Sequence, residues 1–336
     1  MSVRITRLHA REVLDSRGTP TVEVEVHLSD GSLGRAMVPA GASRGRHEAA
    51  ELRDGDPHRY DGKGVLKAGR AVQDVLAPAV AGLSPFEQGE VDRRLKEADA
   101  TPEKSRLGAN AILGVSLAVA HAAASSRGVP LYRYLAGEGP PLLPVPLFNV
   151  LNGGKHAPDS VEFQEFLVIP LGAPSFAEAL RAGVEIYWAL KGLLQRAGLP
   201  TLVGDEGGFA PPLTSNREAL ALVAQAVQES GYRSGQEVAL GLDVAASELY
   251  QDGRYHLPKE GRSLDAAGLI AHYEALARDF PLLSLEDGLA EDDWGGWQAL
   301  HARLGGRLQL VGDDLSTTTP ERLRRGITLG ACNAVL

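Results

Sequence analysis

The sequence predicts an α/β protein in two parts, an α+β block followed by strands and helices alternating around a mostly parallel sheet. Three observations carry this reading. Strand patterns and then helical patterns fill residues 1–138. A proline-rich stretch, Gly139-Pro140-Pro141-Leu142-Leu143-Pro144-Val145-Pro146, interrupts them. From residue 139 to residue 336, short, nearly continuous apolar runs alternate with longer helical segments, the signature of strands covered on both faces. The expected domains are therefore 1–138 and 139–336, and a length of 336 residues suits two domains at about 150 residues each.

The elements follow in order. Thr21-Val22-Glu23-Val24-Glu25-Val26 alternates polar and apolar residues as a half-buried strand does. Ser29-Asp30-Gly31-Ser32 turns the chain, and Arg35-Ala36-Met37-Val38 returns. A small-residue stretch, 40–45, separates these strands from helical patterns over roughly 64–135. Within that region, residues 107–126 are uncharged and long enough for a membrane span. Asn110, Ser116, His121 and many alanines keep the segment weakly hydrophobic, so it reads as a buried, closely packed helix and the chain as having no transmembrane segment. Beyond the prolines, apolar runs at 146–150, 163–169, 238–244, 282–285, 308–311 and 332–336 read as strands. Ser175 with Glu178 and Ser215 with Glu218 match the capping box. Thr319-Pro320 places a cap before a first-turn proline. A closed barrel and an open doubly wound sheet both satisfy this pattern. The last run stops at Leu336 with no cap, turn or polar tail, an ending that reads as a truncation.

Composition excludes several functions. Hydrophobic residues at 44% and charged residues at 23% describe a folded chain. With 34 basic and 43 acidic residues the net charge is −9, the wrong sign for a nucleic-acid binder, which must displace counterions. Cys332 is the single cysteine, which excludes intramolecular disulfides and cysteine metal clusters. The first eighteen residues carry charges throughout and no apolar core, unlike a secretory signal, so the expected location is cytoplasmic.

Chemistry concentrates where strands stop. Leu240-Gly-Leu-Asp243, Leu283-Ser-Leu-Glu286-Asp287 and Leu310-Val-Gly-Asp313-Asp314 each end an apolar run in acid. Side chains at the C-terminal ends of barrel strands line the active site. Three convergent carboxylates repel unless a cation sits among them, and an all-oxygen set favours Mg²⁺ or Mn²⁺ over Zn²⁺. Any one of these acids could equally begin a loop or cap a helix. Glu206 lies in a glycine-flanked turn, Val203-Gly-Asp-Glu-Gly-Gly-Phe209. Gln164 and Glu165 interrupt an otherwise apolar strand, so at least one must point into the interior or a site. His156 follows Asn149-Val-Leu-Asn152-Gly-Gly-Lys155, and Ser43 lies in the flexible 40–45 stretch, which lacks the phosphate-loop pattern.

Taken together these strings resemble the enolase family, the lyases that interconvert 2-phosphoglycerate and phosphoenolpyruvate in glycolysis. The matching segments are Leu14-Asp-Ser-Arg-Gly18, Gly41-Ala-Ser-Arg-Gly45, Glu51-Leu-Arg-Asp54, Leu107-Gly-Ala-Asn-Ala111, 149–157, Gln164-Glu-Phe166, Gly204-Asp-Glu-Gly-Gly208, Gly241-Leu-Asp-Val-Ala-Ala-Ser247, Glu286-Asp-Gly288 and Val311-Gly-Asp-Asp314, in family order along the chain. The resemblance implies an N-terminal α+β domain followed by a modified TIM barrel with irregular opening units, here lacking its last strands. It implies Mg²⁺ held by Asp243, Glu286 and Asp313, with Ser43 as the mobile-loop ligand of a second ion. It implies substrate contacts from His156, Gln164 and Glu165, and gives Glu206 the role of protonating the departing hydroxyl, with Glu165 beside it. It also implies a homo-oligomer, a dimer or larger.

Two departures stand out. The base of the family is a lysine on the strand at which this sequence stops. The seven lysines here, Lys63, Lys67, Lys96, Lys104, Lys155, Lys191 and Lys259, all fall outside the expected barrel strands. Ala40 and Arg44 stand where the family's mobile loop has serine and threonine. Two readings follow: a Mg²⁺-dependent phosphopyruvate hydratase impaired by the missing base region, and a catalytically silent family member that works as a binding or scaffold protein.

Overall fold

The computed structural model describes residues 2–41, 45–137 and 139–336. The chain forms two compact units, Met1–Gly41 with Ala49–Leu142, and Ala42–Glu48 with Leu143–Leu336.

In the first unit β1 (Ile5–Leu14), β2 (Pro20–Leu28) and β3 (Leu33–Val38) form an antiparallel meander. Asp15 tightens the first turn by accepting the main-chain N–H groups of Arg17 and Thr19, each at 2.9 Å. Helices follow among the described residues: α1 (Leu66–Ala71) and α2 (Ala77–Val80), joined into one run by a π turn at Val72–Leu76, then α3 (Gln88–Asp99), α4 (Ala109–Ser126) and α5 (Leu131–Ala136). Helix α4 lies on β2 and β3. Its alanines and glycine let the backbones approach closely. A Cβ on Gly34 of β3 would fall 2.1 Å from the Ala118 carbonyl oxygen, and one on Gly114 would fall 2.8 Å from Val24. Among the described residues α4 is the one helix long and apolar enough to cross a membrane, and 61% of it is buried inside the protein. Its Val115 and Val119 share a core with Val22, Val24 and Val26 of β2 and Leu95 of α3.

The second unit is built on a six-stranded sheet in the order β12-β11-β10-β6-β5-β4. Its strands are β4 (Phe148–Asn152), β5 (Glu165–Ile169), β6 (Ala239–Asp243), β10 (Leu282–Glu286), β11 (Gln309–Gly312) and β12 (Ala334–Val335). A separate three-stranded sheet of β7 (Tyr250–Gln251), β8 (Arg254–Leu257) and β9 (Arg262–Leu264) follows β6. The sequence reading did not anticipate it, because such short polar strands carry little periodicity.

The large sheet is less parallel than its apolar runs suggested. Strands β6, β10, β11 and β12 are parallel, whereas β4–β5 and β5–β6 are antiparallel. The helix count explains the difference. Single helices, α8 (Ala266–Asp279), α9 (Trp294–Leu304) and α10 (Pro320–Leu329), connect the parallel strands and return the chain to the end where each strand began. Two helices packed together, α6 (Phe176–Arg196) and α7 (Asn216–Glu229), join β5 to β6 and leave the chain at the end where β5 stopped.

The expected caps form by half. Ser175 Oγ accepts the N–H of Glu178 and Ser215 Oγ that of Glu218, both at 3.2 Å. The reciprocal carboxylate bonds go elsewhere, Glu178 to Arg181 and Glu218 to Thr214. Thr319 precedes Pro320 but makes no side-chain cap bond to the helix.

Candidate active site

The register of the sheet gathers the acids. Glu165 pairs with Asp243, Asp243 with Glu286, and Glu286 with Val311. Laterally paired residues project to the same face, so Glu165, Asp243 and Glu286 stand in a row. Asp313 follows two residues after Val311, at the same end of the sheet.

Burial and mutual repulsion act together there. Asp243 is 7% exposed. Its Oδ2 accepts from Gln164 Nε2 at 3.0 Å and its Oδ1 from the Ala245 N–H at 2.9 Å. Burial raises its carboxyl above the usual range; these bonds oppose the rise, and Asp313 adds to it. Burial, then Asp243, Asp287 and Asp313, push Glu286 up. Burial also raises Asp313. Glu165 is pushed up to about 8 by burial, then by Asp243 and Glu206. An all-carboxylate donor set whose members resist ionising together suits a hard divalent cation, which would relieve the repulsion.

Asp287 has a different task. It is 4% exposed, and its two carboxylate oxygens accept the N–H groups of Asp313 at 3.1 Å and Asp314 at 2.8 Å. Oxygens of Asp287, Asp313 and Asp314 lie within 4.8 Å of one another. Because those of Asp287 already hold the 313–314 backbone, we read it as the clamp that aims Asp313. Sequence reasoning singled out the Glu286-Asp287 pair but assigned this residue nothing; the doubled acid after a strand was the available signal.

Both polar residues of the 163–169 run face the site. Gln164 is 5% exposed, and its Nε2 must face Asp243 because a carboxylate only accepts. That leaves Gln164 Oε1 buried without a hydrogen-bond partner among the described residues. His156, buried on the short helix Gly154–His156, places Nδ1 3.8 Å from Glu165 Oε1. Glu206 is exposed, and its charge is felt by Glu165. Its loop is tied down by Asn152, fully buried at the end of β4, whose Oδ1 accepts the Gly208 N–H at 2.9 Å and whose Nδ2 donates to the Gln164 carbonyl at 3.3 Å. Gly204 and Gly208 are glycine because a Cβ would lie 2.7 Å from the His156 carbonyl oxygen and 2.7 Å from Asn152 Oδ1 respectively. Asn152 was quoted in a sequence string without a role; a buried amide just before Gly153-Gly154 was its signal. Ser43 and Arg44 lie outside the described residues.

A cleft of about 570 Å³ is lined by Gln164 and Ala245, the two residues that hydrogen-bond Asp243, but by none of Glu165, Asp243, Glu286 and Asp313 themselves. Lys155, Glu248, His256 and Lys259 also line it. Lys155 is committed to Glu248 at 2.9 Å, and Lys259 Nζ donates to the Asp159 carbonyl at 2.9 Å.

Comparison with known proteins agrees along the whole chain. Residues 5–135 match the family model described as Enolase, N-terminal domain, and residues 140–336 match Enolase, C-terminal TIM barrel domain. The chain is 58% identical over 332 residues to a protein named Enolase from Acidothermus cellulolyticus, an overlap covering 99% of this chain and 77% of that relative.

Proposed function

The chain belongs to the enolase family, carbon–oxygen lyases of glycolysis, and from that premise we propose that it binds 2-phosphoglycerate beside a Mg²⁺ ion and takes part in its reversible dehydration to phosphoenolpyruvate. The observation that carries this reading is the in-register row Glu165, Asp243 and Glu286 with Asp313 beside it. Asp243, Glu286 and Asp313 would hold the ion. When bound, it would supply positive charge to a substrate carboxylate that becomes more negative as the adjacent proton leaves.

The chain's own residues do the rest. Glu206 gives the departing hydroxyl its proton, and Glu165 keeps a proton near neutral pH, so it donates a hydrogen bond within the site. Gln164 Oε1, without a partner among the described residues, accepts from the substrate. His156 borders the same space. Ser43 keeps its expected role toward a second ion on the strength of the family resemblance alone. We further propose that the boundary near residue 139 separates two family domains, that the chain self-associates, and that it works in the cytoplasm.

A second reading, a silent family member acting by binding, is favoured by one observation. No lysine lies on the six-stranded sheet among the described residues: Lys155 is on the short helix after β4, Lys191 is within α6, and Lys259 follows β8. A base positioned on the sheet is worth about 10²–10⁴ in rate, and the described residues place no lysine there. Phosphoenolpyruvate absorbance, followed from 2-phosphoglycerate with purified chain and Mg²⁺, separates the readings. Turnover abolished by Glu206→Gln supports the enzyme, and a folded, Mg²⁺-binding chain with no turnover supports the silent member.

A further inference from the structure

Residues 45–48 belong to the second unit, although the chain on either side of their segment builds the first. They rest on the turn between β10 and α9. Glu291, 7% exposed, accepts the main-chain N–H of Arg46 at 2.8 Å through Oε2, and its Oε1 lies 3.6 Å from the Arg46 guanidinium. Asp292 faces His47 Nε2 at 2.9 and 3.1 Å and Arg46 Nη1 at 3.7 Å.

The receiving surface is itself held. Arg322 donates to Asp292 Oδ1 at 3.2 Å, to the Glu291 carbonyl at 2.5 Å and to the Leu315 carbonyl at 2.7 Å. The Thr317 hydroxyl donates to the His47 carbonyl at 3.3 Å. Gly45 then meets the acid turn directly. A Cβ there would lie 2.7 Å from Asp314 Oδ1 and 3.2 Å from Thr317 Cγ2. A four-residue segment carrying two basic side chains thus fills an acidic notch one residue from Asp313.

We propose that Arg46 and His47, through Glu291 and Asp292, are positioning residues that seat the 45–48 segment against the Asp313–Asp314 turn and so set how tightly this end of the sheet binds a divalent cation. The inference rests on the cation site proposed above, and its sign is diagnostic. By charge alone, removing Arg46 would strengthen cation binding, because a positive charge leaves an acidic site. If the work of Arg46 and His47 is to hold the turn in place, removing them weakens it.

The test is Mn²⁺ binding to the full chain by isothermal titration calorimetry, with thermal melting of each metal-free variant as the control for folding. Arg46→Ala and His47→Ala should each weaken Mn²⁺ binding about two- to fivefold, the range expected for exposed pairs, and Gly45→Ala should weaken it too, because its Cβ would press on Asp314 Oδ1. His47→Gln, which keeps an N–H donor toward Asp292, should retain most of the parent affinity. Asp313→Asn, as a control on the site itself, should lose binding. A parent chain that binds no Mn²⁺ sinks the cation-site reading and this inference with it. A parent that binds, with Arg46→Ala and His47→Ala variants that bind equally well or more tightly, sinks the inference alone.

Discussion

Glu165, the first residue of β5, is the register partner of Asp243, the last residue of β6. The two carboxyls therefore start from neighbouring positions on one face of the sheet, with Glu286 next in the row. Their closeness makes the metal-free site costly to ionise.

The first consequence concerns pH. Burial and neighbouring charge raise Glu165 to about 8, and they raise Asp243 and Glu286 above the usual carboxylate range. A carboxyl whose folded pKa exceeds its unfolded value holds a proton that the unfolded chain has released, so stability falls as pH rises between the two. The metal-free chain should lose melting temperature steadily from pH 5 to pH 9. Saturating Mg²⁺ should restore more of it at pH 9 than at pH 5. Calorimetric melts with chelator and with Mg²⁺ across that range check this; a metal-free melting temperature that climbs with pH contradicts it.

Glu286→Gln separates folding from binding. Pushed up to about 9, the Glu286 carboxyl keeps a proton at pH 8 that the unfolded chain releases; the substitution makes that neutral form permanent at nearly constant shape, and among the described residues the Glu286 side chain has no hydrogen bond to lose. The metal-free variant should be more stable than the parent at pH 8 by about 1 kcal/mol or more. Its Mg²⁺ affinity should fall more than about tenfold. Urea unfolding and metal titration read the two effects independently.

Asn152 offers a test of the frame around Glu206. Asn152→Ala strips a buried acceptor from the Gly208 N–H and a donor from the Gln164 carbonyl. Leaving the buried Gly208 N–H unpaired, while the Gln164 carbonyl keeps the Gly153 N–H at 3.0 Å, should cost about 1–3 kcal/mol in urea unfolding. In an active chain, kcat should drop more than the loss of folded protein accounts for, because Glu206 is no longer held beside Glu165.

The first unit has its own fragile point. Gly34→Ala would drive a methyl group to within 2.1 Å of the Ala118 carbonyl and 2.2 Å of the Ala122 nitrogen, both helix backbone. With no flexible side chain to yield, α4 must move, and the variant should lose about 3 kcal/mol or more. Gly69→Ala, at a helical position with open space around it, should stabilise slightly or be neutral. Paired denaturation curves make the comparison.

What the sequence revealed followed from local rules. Apolar runs ending at Asp243, Glu286 and Asp313 marked strand ends, because hydrophobic patterning is legible one segment at a time. The hydroxyl halves of the caps at Ser175 and Ser215 were readable for the same reason. The antiparallel opening of the sheet was not, since strand direction depends on how a distant helix pair returns the chain. The clamp at Asp287 and the seat of residues 45–48 also escaped notice. Each depends on partners brought together only by the fold: Asp287 with the amides of 313 and 314, Arg46 with Glu291.

The two-helix excursion between β5 and β6 decides which part of the chain can serve the acids. Were β5 to run the other way, Glu165 would sit roughly 13 Å off, at the far rim of the sheet, and the segment before it, bearing His156 and Gln164, would go with it. An odd number of helices there would thus leave every one of these residues in the polypeptide yet scatter them to opposite poles. Helix parity in this stretch, invisible to any residue-by-residue inspection of the acids, is a condition for their ever meeting.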